Sequence, residues 1–474
     1  MGVSETSDIR PDWRALWASG DLGRFCFVSL GILLHATNET MMSTIMPAMV
    51  RDLEGVRLVG WSFAIYELGS IVAGAAAGRM ISYVTLRDNM AGAAAIYALG
   101  ALICTMAPTM TWLIAGRLVE GIGGGALVAL AFVSVERLFP RAIWPQLFGV
   151  MSAVWGVAAF GGPLIGALVS EAFGWRATFG VFAAGGLAMA VVAFFVLNSG
   201  RARQVRDPGE APPFPYAALL ILIVAVLLVA MASVEDRAAL AGIYLIAGLG
   251  GLALFFVADA RRPASRLFPS RPFGWARGTG VGLTMVLAFS VSTISFSIYA
   301  PLLLSSMHGI PPLTTGWIIA SESIAWSILS ILVANAKQRH EPLIITAGAA
   351  MITAGIAGFA WAIPTGDVPA ILFCALLQGG GFGIAWPFVT RMIVASAAPA
   401  ESTVASSSVS AMQRIGYAVG AALAGIVANG FGFSQGLSAE TSARVAPWLF
   451  LFFLPLALVG LVAALTLVRR RPQP

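Results

Sequence analysis

Six ionisable side chains interrupt stretches that are otherwise apolar: Glu39, Glu67, Arg117, Glu120, Glu322 and Arg414. A charge at the centre of a bilayer costs about 2.5–3.5 kcal/mol on insertion scales, so such residues face a cavity or a partner. A carboxylate in a low-dielectric cavity can hold a proton near neutral pH, which suits Glu39 to binding a proton or a cation. The alternative is an acid near the outer mouth with ready access to water. His35 lies four residues before Glu39 on the same helical face, and Asn38 directly precedes it. A satisfied packing histidine is the default reading of His35. Arg117 and Glu120 are three residues apart and share a face; both are candidates for proton coupling, although pairing alone would keep both in lipid. Glu67 and Glu322 stand 255 residues apart in corresponding parts of the chain, where two carboxylates can bind a cation or share a proton, or serve as hydrogen-bonded structural acids. Arg414, next to Gln413, has no acid in its own helix and is expected to attract an anionic group or to pair with Glu322. Gln378, Trp386, Phe296 and Tyr299 supply further polar and aromatic candidates for lining a cavity, although a tryptophan in such a helix more often packs.

The elements that must hold these residues are membrane spans. The chain has 474 residues, 58% hydrophobic and 11% charged, with mean hydropathy +0.87. Soluble domains carry about 25% charged residues, so the solvent of this chain is lipid. Fourteen apolar windows stand near 24–49, 58–79, 89–108, 110–135, 142–170, 175–197, 216–234, 239–258, 279–306, 313–335, 342–363, 367–394, 402–430 and 446–468. With both ends in the cytoplasm, twenty-one of the 28 basic residues fall in inner segments, five in outer loops, and Arg117 and Arg414 within the membrane. The net charge of +6 therefore reads as a topology signal and not as nucleic-acid binding. A multi-pass protein of the inner (cytoplasmic) membrane follows.

The expected organisation is a cytoplasmic tail (1–23), a six-helix bundle (24–197), a charged, proline-containing linker (198–215), two inserted helices (216–258), a basic linker (259–278), a second six-helix bundle (279–468) and a tail (469–474). The inserted pair reads as lipid-facing packing elements. Trp13 and Trp17 suit a short interfacial helix or a loose tail. The basic linker suits a solvated loop or a grip on anionic headgroups. Cys26, Cys104 and Cys374 show no metal-site or disulfide pattern, and no nucleotide-binding loop, metal site or cofactor is expected. The two bundles carry an echo of each other. Leu118–Gly125 aligns with Leu376–Gly383 and Glu171–Trp175 with Asn429–Phe433, both at an offset of 258, while Gly60-Trp61 aligns with Gly316-Trp317 at 256.

These motifs resemble those of the major facilitator superfamily, in particular its fourteen-helix drug:proton antiporters. Arg117-Leu118-Val119-Glu120-Gly121-Ile122-Gly123-Gly124-Gly125 matches the family's RxxxGxGxG pattern. Gly162-Pro163-Leu164-Ile165-Gly166-Ala167 is similar to the antiporter GPxxGG pattern, with Ala167 in place of the last glycine. Trp175-Arg176-Ala177-Thr178-Phe179 is similar to WRWxF, and Asn38-Glu39-Thr40 before Pro47 is similar to DxTxxNxALP, with Asn38 at the Asp position. The loop after the second helix departs from GxLADRxGRR: Gly78 and Arg87 remain, but Ser82 stands at the acidic position, which puts the family's cytoplasmic charge latch in doubt.

The resemblance implies two pseudo-symmetric six-helix bundles plus two inserted helices, alternating access, and no enzymatic activity. It implies proton-coupled export of a small amphipathic organic compound by a monomer. Arg117 would take part in proton transfer, and Gly162, Pro163 and Gly166 would form the kink that marks exporters. Protons from outside would neutralise Glu39 and Glu67 and release the cargo. Nutrient uptake by proton symport, and a non-transporting receptor on the same fold, are the rival expectations.

Overall fold

The computed structural model describes residues 21–81, 83–140, 143–198, 200, 213–334 and 336–469. Trp13, Trp17, Ser82 and most of the first linker lie outside them. The described residues are all-helical: α1 (Asp21–Leu53), α2 (Val59–Met80), α3 (Leu86–Thr105), α4 (Met110–Leu138), α5 (Trp144–Phe173), α6 (Trp175–Val196), α7 (Tyr216–Ala232), α8 (Ala238–Ala260), α9 (Gly278–His308), α10 (Pro312–Val333), α11 (Glu341–Thr365), α12 (Val368–Ala395), α13 (Ser402–Phe431), and then α14 (Ala439–Val445), α15 (Trp448–Leu451) and α16 (Leu454–Arg469). Twelve spans among them are long and apolar enough to cross a membrane, with α14–α16 forming one. The two expected spans outside that set are α1, whose middle holds His35, Asn38 and Glu39, and α7, which has 17 residues. Thirteen of the fourteen expected windows thus appear as one helix each, and the last is broken near Pro447.

Packing follows small residues. α4 packs on α1, α2 and α3, and its glycines let it do so. A Cβ on Gly121 or Gly125 would strike the backbone of Tyr66 or Ser70 in α2; on Gly123 it would strike Tyr97 of α3; on Gly124 it would strike the ring of His35 in α1. α12 repeats the device against α10: Gly379 meets the backbone of Glu322 and Gly383 that of Trp326. Without a hydrophobic driving force between helices in lipid, this backbone-distance contact supplies the dispersion that holds them. α3 also packs on α6 and α1 on α5, while α11 packs on α12 and α16, and α9 on α13 and α16. α2 meets α13 along one long seam and α5 meets α10 along another, while α1 also touches α9 and α10.

The inserted pair divides in character. α8 is mostly exposed, with Gly248, Phe255 and Asp259 its buried residues, as expected of a lipid-facing helix. α7 is the more deeply packed of the two. It buries Leu219, Leu222, Val226 and Val229 and packs on α2 and α13 as well as on α8. Its far end is tied down by polar bonds. Trp61 Nε1 donates to the Ala230 carbonyl at 2.8 Å, and Arg57 donates to the Val234 carbonyl at 2.7 Å and to Asp236 at 2.6 Å. Asn429 Nδ2 donates to the Ser233 carbonyl at 2.6 Å and the Arg57 carbonyl at 3.0 Å. The end of α7 therefore joins both sides of the α2–α13 seam.

Two glycines separate packing from mere helix content. Gly121→Ala should cost about 1–3 kcal/mol through overpacking against Tyr66. Gly92, which has open space where a Cβ would sit, should accept alanine with an unchanged or higher melting temperature. Thermal unfolding in detergent compares the two.

Candidate functional site

The polar residues of four helices meet in two linked clusters. The first is sealed. Arg117, Glu120 and Asn38 are each fully buried. One Arg117 nitrogen donates to Asn38 Oδ1 at 2.5 Å and to Glu120 Oε2 at 2.6 Å, and Asn38 Nδ2 closes the ring by donating to Glu120 Oε1 at 2.7 Å. The spacing explains this: residues 117 and 120 share one face of α4, and that face meets α1 at Asn38. Arg117 Nε and Nη2 find no hydrogen-bond acceptor, but the guanidinium lies 3.8 Å from the centre of the Tyr66 ring, whose π face meets its charge. Formal charge cancels within this cluster.

The second cluster is partly open. Arg414 of α13 donates to Glu67 of α2 at 3.1 Å and stands 3.9 Å from Glu39 of α1. The Arg414 and Glu39 side chains are 18% and 21% exposed, whereas that of Glu67 is 5% exposed. His35 links the two clusters. Its Nε2 lies 3.2 Å from Arg414 Nη2 and 3.5 Å from Glu39 Oε2, and its Nδ1 lies 2.8 Å from the Tyr66 hydroxyl. Trp155 of α5 stands edge-on to the His35 ring and 5.7 Å from the Arg414 guanidinium.

Other sequence candidates stand elsewhere. Arg414 was expected to attract an anionic group or pair with Glu322; its carboxylate partner is Glu67. Glu322 accepts instead from Gln378 of α12 at 2.8 Å, so Glu67 and Glu322 have separate partners. Gln413 donates to the Tyr417 hydroxyl at 2.8 Å. Trp386 belongs to an aromatic group with Trp326 and Phe382. Phe296 stacks on Phe359 with centroids 4.1 Å apart, and Tyr299 lies buried beside Phe433; neither joins the charged clusters. Gly162 and Gly166 let α5 approach α1 at Thr40 and Thr44, and Pro163 stands between them within a continuous helix whose carbonyl abuts Gly316 of α10. The Trp175-Arg176 pair holds the end of α1 through Asp52, to which both donate. Ser407 and Ser408 bond their own helix backbone.

Sequence reasoning missed Tyr66 and Trp155. Signals for both were present. Tyr66 directly precedes the intramembrane Glu67, and Trp155 directly precedes Gly156, which aligns with Arg414 at the repeat offset of 258.

An all-helical bundle with ion pairs inside its apolar core is the architecture of a polytopic membrane transporter, and the comparisons make the family specific. The family model described as Major Facilitator Superfamily matches residues 28–258 and 281–474. A protein of Mycobacterium tuberculosis named as a probable multidrug-efflux transporter is 30% identical over 478 residues, covering 98% of both chains. A multidrug transporter of Bacillus subtilis is 24% identical, covering 84% of this chain and 74% of that one. Among solved structures, an inward-facing bacterial homologue of the human lysosomal transporter Spinster aligns with a TM-score of 0.67 at 14% identity, covering 95% and 98% of the two chains. The chain belongs to the major facilitator superfamily and is a multi-pass membrane transporter.

The sealed cluster makes a sharp prediction. Glu120→Leu alone should destabilise the protein by about 3–5 kcal/mol, because it strands the Arg117 charge. The triple variant Asn38→Leu, Arg117→Met, Glu120→Leu should recover most of that loss while transport stays impaired. Thermal unfolding beside a transport assay reads both.

Proposed function

We propose that the protein is a proton-coupled antiporter that exports a small amphipathic organic compound, neutral or cationic, from the cytoplasm by alternating access. The carrying observation is the Arg414–Glu67 ion pair. It crosses from α2 to α13, and its neighbour Glu39 is part-exposed. A salt bridge across the seam can be exchanged for a cargo cation or a proton, and each exchange changes what holds the two sides together. The names of the relatives from Mycobacterium and Bacillus support efflux of chemically varied compounds.

In this reading, residues 24–197 and 279–468 form two pseudo-symmetric six-helix halves, with 216–258 inserted between them and both chain ends in the cytoplasm. Supporting it are the sequence repeat, the glycine contacts of α4 on α2 repeated by α12 on α10, and the crossed seams of α2 with α13 and α5 with α10. By the arginine distribution, the end holding Arg57, Ser233 and Asn429 is the outer one. The polar bonds there suit a state closed to the outside. Cargo would then meet Glu39 and Glu67 from the cytoplasm, and protons arriving after the outer end opens would bind within this cluster, cancel its net negative charge and release it. The protein would work as a monomer in the cytoplasmic membrane.

Proteoliposomes test this. With a cationic dye as cargo, an imposed pH gradient should drive accumulation, and Glu39→Gln and Glu67→Gln should each lower it at least about tenfold, the size of a lost charge-assisted contact of 1.4 kcal/mol or more. Glu322→Gln tests the third acid of the set. Full proton-driven transport in all three variants would overturn the assignment. Inverted vesicles separate export from symport by the direction of net movement.

A further inference from the structure

The hydrogen-bond geometry fixes the protonation of His35 in this state. Arg414 can only donate, so the His35 Nε2 it reaches at 3.2 Å must carry a lone pair. The ring proton then sits on Nδ1 and is donated to the Tyr66 oxygen at 2.8 Å. The Tyr66 hydroxyl in turn donates to the His35 carbonyl at 3.3 Å. Turning the ring over would set C–H groups against both Arg414 and Tyr66, which the network disfavours. His35 is therefore neutral while Arg414 holds it.

On the other side of the same nitrogen waits an acid. Glu39 Oε2 lies 3.5 Å from His35 Nε2 and is a buried oxygen with no hydrogen-bond partner. The groups facing His35 are otherwise Tyr66 of α2, with Glu67 behind Arg414; Gly124 of α4, with Arg117 and Glu120 beyond Tyr66; Trp155 of α5; and Arg414 of α13. From α6, α9 and α10 no charged group among the described residues contacts the ring.

We propose that His35 Nε2 is the proton-binding position of the open cluster, that Arg414 masks it, and that Glu39 is the counter-ion that receives the imidazolium when Arg414 withdraws. The exchange balances simply. A proton from water forms the Nε2–H bond; the Arg414 N–H···N contact breaks; Arg414 keeps all its own protons and stays with Glu67. With both carboxylates ionised, the cluster of Glu39, Glu67 and Arg414 carries a formal charge of minus one while His35 is neutral. One organic monocation balances that charge, and so does one proton on His35. Cargo and proton thus exclude each other by charge, one for one. This deepens the antiport reading and rests on it for its transport consequence, but the masking itself does not.

The test uses the full chain in nanodiscs. The chain has three histidines, so His308→Gln with His340→Gln leaves His35 as the sole imidazole for nitrogen-15 NMR. At neutral pH the spectrum should show the neutral form protonated at Nδ1. Arg414→Gln should move the midpoint of imidazolium formation up by roughly one pH unit or more, and Glu39→Gln should move it down. A neutral form protonated at Nε2, or midpoints that both stay put, would overturn the masking. In proteoliposomes, His35→Gln should lose at least tenfold of its gradient-driven dye accumulation, with dye exchange at equal pH falling much less. Wild-type gradient-driven accumulation in that variant would overturn the proton's use in transport. If the native protein accumulates no dye under a pH gradient while the NMR midpoints move as expected, the antiport reading fails and the masking stands.

Discussion

Arg117 has no water with which to share its charge, and the rest of the bundle is arranged around that fact. A guanidinium at zero exposure must be neutralised and hydrogen-bonded by whatever helices can reach it. Glu120 comes from its own helix, Asn38 from α1, and the Tyr66 ring from α2. Three helices can converge so tightly only where side chains are absent, which is what the glycines of α4 supply. The glycine run and the buried ion pair are thus one device: the first sets the helix spacing, and the second fixes register along it.

The two clusters differ in what they can do, although both hold acids and an arginine. In the inner one, every carboxylate oxygen is bonded and the charges cancel, so it gains nothing from another ion. In the outer one, Glu39 has an unbonded oxygen, Arg414 reaches three partners at longer distances, and water has partial access. Low dielectric strengthens both sets of interactions, but only the second leaves a carboxylate oxygen without a donor. His35 and Tyr66 stand between them, so a change in the open cluster is felt at the closed one through a single imidazole and a single phenol.

Much of this was legible in the amino-acid order. The spans followed from hydropathy, because lipid admits only helices with satisfied backbones. The pairing of Arg117 with Glu120, and the placing of His35 on the same helical face as Glu39, followed from three- and four-residue spacing on a helix. Contacts between helices were not legible in the same way. Nothing local says that Arg414 meets Glu67, 347 residues away, and not Glu322. The repeat pointed to Glu322 as the counterpart of Glu67, but a likeness of sequence position does not say which side chains meet. Tyr66 was passed over because a phenol in an apolar helix looks like packing until its ring is seen beneath a charge.

The tip of α7 carries a mechanical consequence. Arg57 and Asn429 approach from opposite sides of a seam, and both grip the short turn that begins at Ser233. Should those sides separate, the turn has only one set of carbonyls to offer, and it must travel with one side and leave the other. A helix pair that looks like ballast in the linear order would then make the two sides of the seam unequal: one would carry a passenger, and the work of opening would include stripping the other from it.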